Sequence, residues 1–273
     1  MLAQANPNWF AVQIQCTDGQ IHKSGNATLS FPLMSVVKPF LLLFLLEQLG
    51  AEAVFKHVGI EPSREPFNSL KQLEADGGWP RNPMLNSGAI VLASLLPGQD
   101  AYSRCYSFRQ WLNQRASCHL FLHQPMLNSV RCVPNQRNRA IAAQLANSGY
   151  LDTVESALST YNHVCCLSGT VDDLALMGML LVDDQGGILP EHRRTVLSLM
   201  TTCGLYEASN HFAFEVGLPT KSGISGALVS VVPSQGAIAC YSPPLDHTGN
   251  SVAGLFLLQK IAQALGGFKL TGY

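Results

Sequence analysis

The chain has 273 residues, with 17 Lys and Arg against 18 Asp and Glu, for a formal net charge of −1. Only 13 % of residues are charged and 47 % are hydrophobic. That leaves no basic excess to neutralise nucleic-acid phosphates, and the composition is the reverse of a disordered chain, which is charge-rich and apolar-poor.

In chain order, the opening MLAQANPNWF has neither the basic n-region nor the apolar h-region of a secretory signal. Residues 10–16 alternate apolar and polar, Thr17-Asp18-Gly19-Gln20 supplies turn chemistry, and Ile21 begins a second extended piece, so a β-hairpin is predicted. The longest apolar run, Pro39 to Leu46, ends at Glu47. It falls well short of the roughly 20 residues that a membrane span needs and reads as a buried core helix. Residues 98–135 are irregular and are read as a helical excursion. Segments 139–149, 153–163, 170–182 and 190–200 carry apolar residues three and four apart, the helical period. Turn residues such as Asp183-Asp184-Gln185-Gly186-Gly187 connect them. Ala227 to Val232 and Ala237 to Tyr241 flank the turn Pro233-Ser234-Gln235-Gly236 and are predicted strands. A helical segment from Ser251 to Leu265 closes the pattern.

Strands near both ends with helices between them predict a mixed α/β (α+β) fold. One sheet would be assembled from about residues 9–30 and 220–242, with residues 40–200 largely helical, in a single domain over 1–273. Eight cysteines, at 16, 105, 118, 132, 165, 166, 203 and 240, form no CxxC pair and no zinc-like spacing. They read as reduced thiols of a cytoplasmic protein, and no metal or organic cofactor is expected.

Two short motifs carry chemistry. Ser35-Val36-Val37-Lys38 opens the apolar helix, which puts Ser35 and Lys38 one turn apart on the same face. A Lys desolvated by an apolar helix has a lowered pKa and can take a proton from Ser Oγ. Backbone N–H groups at a helix start can hold a developing oxyanion. Lys221-Ser222-Gly223 precedes the strand at 227–232, and an S-x-x-K with a downstream K-[ST]-G is the pattern of active-site serine enzymes of the penicillin-binding class. Each piece alone also reads plainly, Ser35 as a cap, Lys38 as a snorkelling side chain and the triplet as a turn.

The whole chain resembles the serine-dependent glutaminase family. Five stretches carry the likeness: VGIEPSREPFNSLKQLE (58–74), RNPMLNSGAI (81–90), RNRAIA (137–142), TCGLYEASNHFAFEVGLPTKSGISG (202–226) and GNSVAG (249–254). The resemblance implies a β-lactamase/DD-peptidase-like fold with a helical subdomain, and hydrolysis of a linear amide, glutamine, without a cofactor. It also implies a homo-oligomer, dimer or tetramer, with no nucleic-acid or membrane partner. By the same resemblance Ser35 is the acylated nucleophile and Lys38 its proton acceptor, with Lys221 supplying charge beside the site. Asn86 and Asn138 bind the substrate, Tyr161 relays a proton to the leaving ammonia, and Tyr206 contacts the substrate. The backbone N–H of Ile224 pairs with that of Ser35 in the oxyanion hole. Without the family, Asn86 and Asn138 read as helix caps, and Tyr161 and Tyr206 as core residues with a satisfied hydroxyl.

The chain departs from the family at one telling place. A family glutaminase carries a Glu seven residues before the position of Asn138, where it binds the substrate α-ammonium; here that residue is Arg131. The family's N-terminal Tyr-Ile-Pro segment has no counterpart before Leu2-Ala3, and Met34 and Pro39 flank the S-x-x-K motif where relatives have Gln and Val. Three readings follow: a glutaminase that holds the ammonium by another group, an amidase or esterase of the same fold for another acyl compound, or a silent binding module.

Overall fold

The computed structural model describes residues 1–133, 135–182 and 187–265. The first part of the chain runs β1 (Ala11–Cys16), β2 (Ile21–Gly25), β3 (Phe31–Pro32), a 3-10 turn (Met34–Val37), α1 (Lys38–Leu49), α2 (Ala51–Phe55), α3 (Leu70–Ala75) and α4 (Asn86–Ser94). The middle runs α5 (Ala101–Ala116), β4 (Phe121–Leu122), α6 (Gln124–Cys132), α7 (Gln136–Asn147), α8 (Val154–Cys165), β5 (Leu167–Gly169), α9 (Val171–Met179) and α10 (Pro190–Cys203). The last part has α11 (Ser209–Glu215), β6 (Thr220–Ser222), β7 (Ala227–Val232), β8 (Gly236–Tyr241) and α12 (Val252–Ala264).

The main sheet has the order β2-β1-β8-β7-β6, antiparallel throughout, so the N-terminal hairpin joins the C-terminal one through β1 and β8. Alternation along β7 sends side chains to two cores. Ala227, Val229 and Val231 face the large core, while Leu228 and Val232 meet Leu258 and Ala262 of α12. Both central strands are therefore buried along their whole length, whereas β2 at the edge is fully exposed.

Helix α1 fills the centre of the large core. Nine consecutive residues, Lys38 to Leu46, are buried, as expected of a helix that is apolar on every side. Each such Leu or Phe contributes about 1.5–3 kcal/mol by leaving water. Among the described residues no helix is long and apolar enough to cross a membrane.

The irregular stretch after residue 98 is largely helical. An Asp100–Ser103 capping box starts α5, which satisfies two backbone donors that the helix leaves open. A second sheet, of order β3-β5-β4, has no counterpart in the sequence reading. It ties the segment before Ser35 to the segment after Tyr161, through Phe31↔Gly169 and a Leu33 N–H to Leu167 carbonyl bond of 2.8 Å. Helix α9 ends at Met179, three residues before the expected end, and residues 183–186 of the connection after it lie outside the described residues.

Candidate active site

Ser35 is not the first residue of the apolar helix. It lies in the 3-10 turn, and α1 begins at Lys38 with Pro39 in its first turn, where a missing N–H leaves no hydrogen bond unmade. Met34, just before Ser35, has φ +49°. That left-handed conformation is unfavourable for a residue with a Cβ and turns the chain sharply at Ser35. Both Ser35 and Lys38 are buried, Lys38 almost completely.

A network of long-range hydrogen bonds surrounds Lys38. Its Nζ donates to the Met84 carbonyl at 2.9 Å and to Asn86 Oδ1 at 2.8 Å. Tyr161 Oη donates to the same Asn86 oxygen at 3.1 Å, and Asn86 Nδ2 donates to Asn138 Oδ1 at 2.8 Å. Lys38 also stands over the Tyr161 ring at 6.0 Å. Burial lowers the Lys38 pKa to about 8. The two acceptors use both hydrogens of the neutral amine, so its lone pair is free for another proton. Burial, then the neighbouring Cys165 thiol, hold the Tyr161 hydroxyl pKa well above its usual value, so the group stays protonated.

Asn86 and Asn138 are not helix caps. Asn86 is the first residue of α4, which has no side-chain cap, and the cap of α7 is Asn135, whose side chain accepts from the Asn138 N–H. Both amides are buried and bonded to each other across 52 residues of sequence. The core-residue alternative for Tyr161 and Tyr206 fits their burial and their bonded hydroxyls, and the partners of those hydroxyls, Asn86 and the Ser222 carbonyl, lie in this site.

The opposite wall comes from β6 and the turns beside it. Lys221 Nζ donates to the Gly204 carbonyl at 2.8 Å and to the Ser222 carbonyl at 2.7 Å, and lies 4.4 Å from the centre of the Tyr206 ring. Burial, then the nearby Lys38 charge, lower its pKa well below the ordinary lysine value. The Tyr206 hydroxyl donates to the Ser222 carbonyl at 3.4 Å and has the Ser35 side chain beside it. Burial pushes its pKa up to about 12. Tyr206 itself is held at φ +57°.

Gly223 explains how the two walls meet. A Cβ there would lie 2.8 Å from the Leu33 carbonyl oxygen and 3.2 Å from the Ser35 nitrogen, so only glycine allows this approach. Ile224 follows directly, and among the described residues neither its N–H nor that of Ser35 donates to a backbone carbonyl. Two free N–H groups on touching segments are what an oxyanion hole requires. A hydrogen bond between Ser35 and Lys38 is not among those of the described residues; catalytic contacts commonly shorten only once substrate binds.

Beyond Asn138 lies a cavity of about 270 Å³ whose lining includes Arg131, Asn138, Arg139, Glu155, Ser159 and Asn162. Arg131 Nη2 donates to His163 Nε2 at 3.2 Å, and the opposite ring nitrogen pairs with the Ser159 carbonyl at 2.6 Å. This contact requires neutral His163. Its pKa is lowered, first by burial and further by Arg131. Glu155 is paired with Arg139. Glu155 escaped the sequence reading because its carboxylate reaches the cavity from α8, 24 residues from Arg131 in sequence.

The profile of the family described as Glutaminase matches residues 1–268. A glutaminase of Synechocystis sp. is 46 % identical over 264 residues, covering 96 % of this chain and 81 % of that protein. A glutaminase of Microcystis aeruginosa is 38 % identical, covering 97 % and 80 %. A crystal structure of a probable glutaminase of Bacillus subtilis superposes with a TM-score of 0.91 at 32 % identity, covering 95 % of this chain and 89 % of that one.

Proposed function

The chain belongs to the glutaminase family, an enzyme family of β-lactamase-like fold that hydrolyses L-glutamine to L-glutamate and ammonia, and we propose that this chain does so through an acyl-enzyme on Ser35. The single observation that carries the reading is the Lys38 amine. It is buried, held by two acceptors, and has its pKa lowered to about 8, so that a fraction of the amine is neutral and able to act as a base near physiological pH.

Neutral Lys38 takes the Ser35 proton as Oγ attacks the side-chain amide carbon. The negative oxygen is held by the Ser35 and Ile224 N–H groups. As the C–N bond breaks, Tyr161 passes its proton to the departing ammonia and takes one back from the Lys38 ammonium, which stands over its ring. Water then attacks the acyl carbon and gives its proton to Lys38, which returns it to Ser35 Oγ as the ester bond breaks and glutamate leaves. Asn86 and Asn138 hold the substrate, Tyr206 closes the side nearest Ser35, and Lys221 braces Tyr206 and the Ser222 carbonyl from behind.

Arg131 does not remove the ability to bind an amino acid in this reading. The cavity beside Asn138 holds Arg131 and Glu155, opposite charges that suit the carboxylate and ammonium of a zwitterion. A single domain, a homo-oligomer and a cytoplasmic location complete the proposal. The oligomer rests on the family resemblance, and the location on eight free cysteines.

The test is ammonia release from glutamine with Ser35→Ala as control, together with covalent labelling of Ser35 by an acylating probe. Release and labelling both lost in the variant support the assignment. Undiminished release from Ser35→Ala would remove Ser35 from the chemistry.

A further inference from the structure

Asn250 has no part in the chemistry above, yet it is fully buried and bonded to three segments around Ser35. Its Oδ1 accepts from the Ser222 hydroxyl, on the Lys-Ser-Gly strand. Its Nδ2 donates to the Leu205 carbonyl at 3.3 Å, one residue before Tyr206, and to Thr248 Oγ1 at 2.8 Å. The Leu205 carbonyl can only accept, which fixes the orientation of the amide. The Asn250 N–H donates to Asp246 Oδ1 at 3.0 Å, and that carboxylate also accepts from the Thr248 N–H at 2.9 Å and its hydroxyl at 2.8 Å.

The result is a closed turn over 246–250, tied further by Asp246 N–H to the Asn250 carbonyl at 2.8 Å. Gly249 at its tip has φ +92°, a conformation that favours glycine. A Cβ on it would lie 3.7 Å from Tyr206 Cε2 and 3.9 Å from Ile224 Cγ2. The tip therefore faces both the tyrosine beside Ser35 and the residue whose N–H completes the oxyanion hole. Tyr206 is unfavourable at φ +57°, and such a residue persists only when its surroundings hold it. Asn250 holds Leu205 on one side. On the other, Ser209 Oγ accepts from the Leu205 N–H at 2.9 Å and donates to the Tyr206 carbonyl at 2.7 Å.

We propose that Asn250 is a positioning residue for glutamine hydrolysis. Through Leu205 it fixes Tyr206, and through Ser222 it fixes the strand that carries Ile224 toward Ser35. The proposal rests on Ser35 as nucleophile and Ile224 N–H as oxyanion donor. It needs no contact between Asn250 and substrate, because a displacement of about 1 Å at the reacting groups can cost 100-fold in rate.

The experiment uses the full chain and compares Asn250→Ala, Asn250→Asp and Thr248→Ala. Asn250→Asp keeps an oxygen for Ser222 but removes the donor to Leu205. Thr248→Ala loosens the same turn while leaving the Leu205 and Ser222 bonds. Measured are kcat and KM for glutamine, the rate of Ser35 labelling by the acylating probe, and Tm. Both Asn250 variants are expected to lose 10- to 100-fold in kcat with KM within threefold, labelling is expected to slow in parallel, and Thr248→Ala is expected to stay within threefold of the parent. Equal losses in all three variants, a change in KM alone, or kcat within twofold of the parent would overturn the proposal. Failure of both Asn250 variants to fold would also overturn it, by making the residue structural. Labelling that persists in a Ser35→Ala control would instead count against the nucleophile, a separable outcome.

Discussion

The two buried lysines beside Ser35 sit in different kinds of surroundings. Lys38, on the helical side, bonds to one backbone carbonyl and to a side-chain amide that also serves Tyr161 and Asn138. Lys221, on the strand side, bonds to two backbone carbonyls and faces the Tyr206 ring. A side-chain network can reorient as protons move; backbone carbonyls and a ring face can only hold the amine in place. On the proposed mechanism the helical wall reacts and the strand wall positions, so substitutions on the two walls should differ in size and kind.

The largest effect belongs to Lys38→Met. Activity should fall by about 10³-fold or more, in the range expected for loss of a general base, while Tm rises. The sign follows from linkage. The folded pKa of about 8 lies below the ordinary 10.5, so between them the unfolded chain binds more protons, and stability rises with pH through that window. Below about pH 8 the cost of the buried charge is complete, of order 3 kcal/mol at about 1.4 kcal/mol per unit. The Tm advantage of Lys38→Met should therefore be greatest near pH 7 and shrink toward pH 10. An advantage that does not depend on pH would show that the lysine is not strained by its charge. The same titration should give kcat/KM an acid limb near pH 8, rising tenfold per unit below it. Lys221→Met should cost less, about 10- to 100-fold. A loss equal to that of Lys38→Met would erase the distinction between the two walls.

The tyrosines sharpen the same contrast. Tyr161→Phe removes a donor to Asn86 Oδ1 and the proton for ammonia, so kcat should fall about 100-fold with KM little changed. Tyr206→Phe keeps the ring that faces Lys221 and Phe67 and loses only the hydroxyl. It should cost about tenfold. Rapid-quench measurement of the first ammonia released separates the two, since only the Tyr161 change should slow acylation strongly.

Much of this arrangement is legible in the chain itself. Ser35 and Lys38 are a local motif, and helical period and strand alternation give the core and the sheet. The partnerships are not legible, because they join residues far apart in sequence: Asn86 with Asn138 across 52 positions, Asn86 with Tyr161 across 75, Ser222 with Asn250 across 28. Read locally, Asn86 and Asn138 are good caps, and the cap at α7 does exist, three residues earlier at Asn135. Asn250 lay inside a recognised stretch but has no intrinsic chemistry to mark it; only tertiary packing gives it one.

The smallest expected effect concerns the cavity beyond Asn138 rather than either wall. Glu155 is two-thirds exposed and already paired with Arg139, so its attraction for an ammonium is screened and its pairs are worth about a kcal/mol or less. Glu155→Gln should then raise KM for glutamine about three- to fivefold and leave kcat unchanged. The discriminating substrate is the same amide without the α-ammonium, 4-carbamoylbutanoate. If Glu155 reads the ammonium, its removal should leave KM for that compound as it was. If Arg131 reads the carboxylate, Arg131→Gln should raise KM for both, since both keep that group. Equal rises for both substrates with Glu155→Gln would place the ammonium elsewhere and remove Glu155 from substrate recognition.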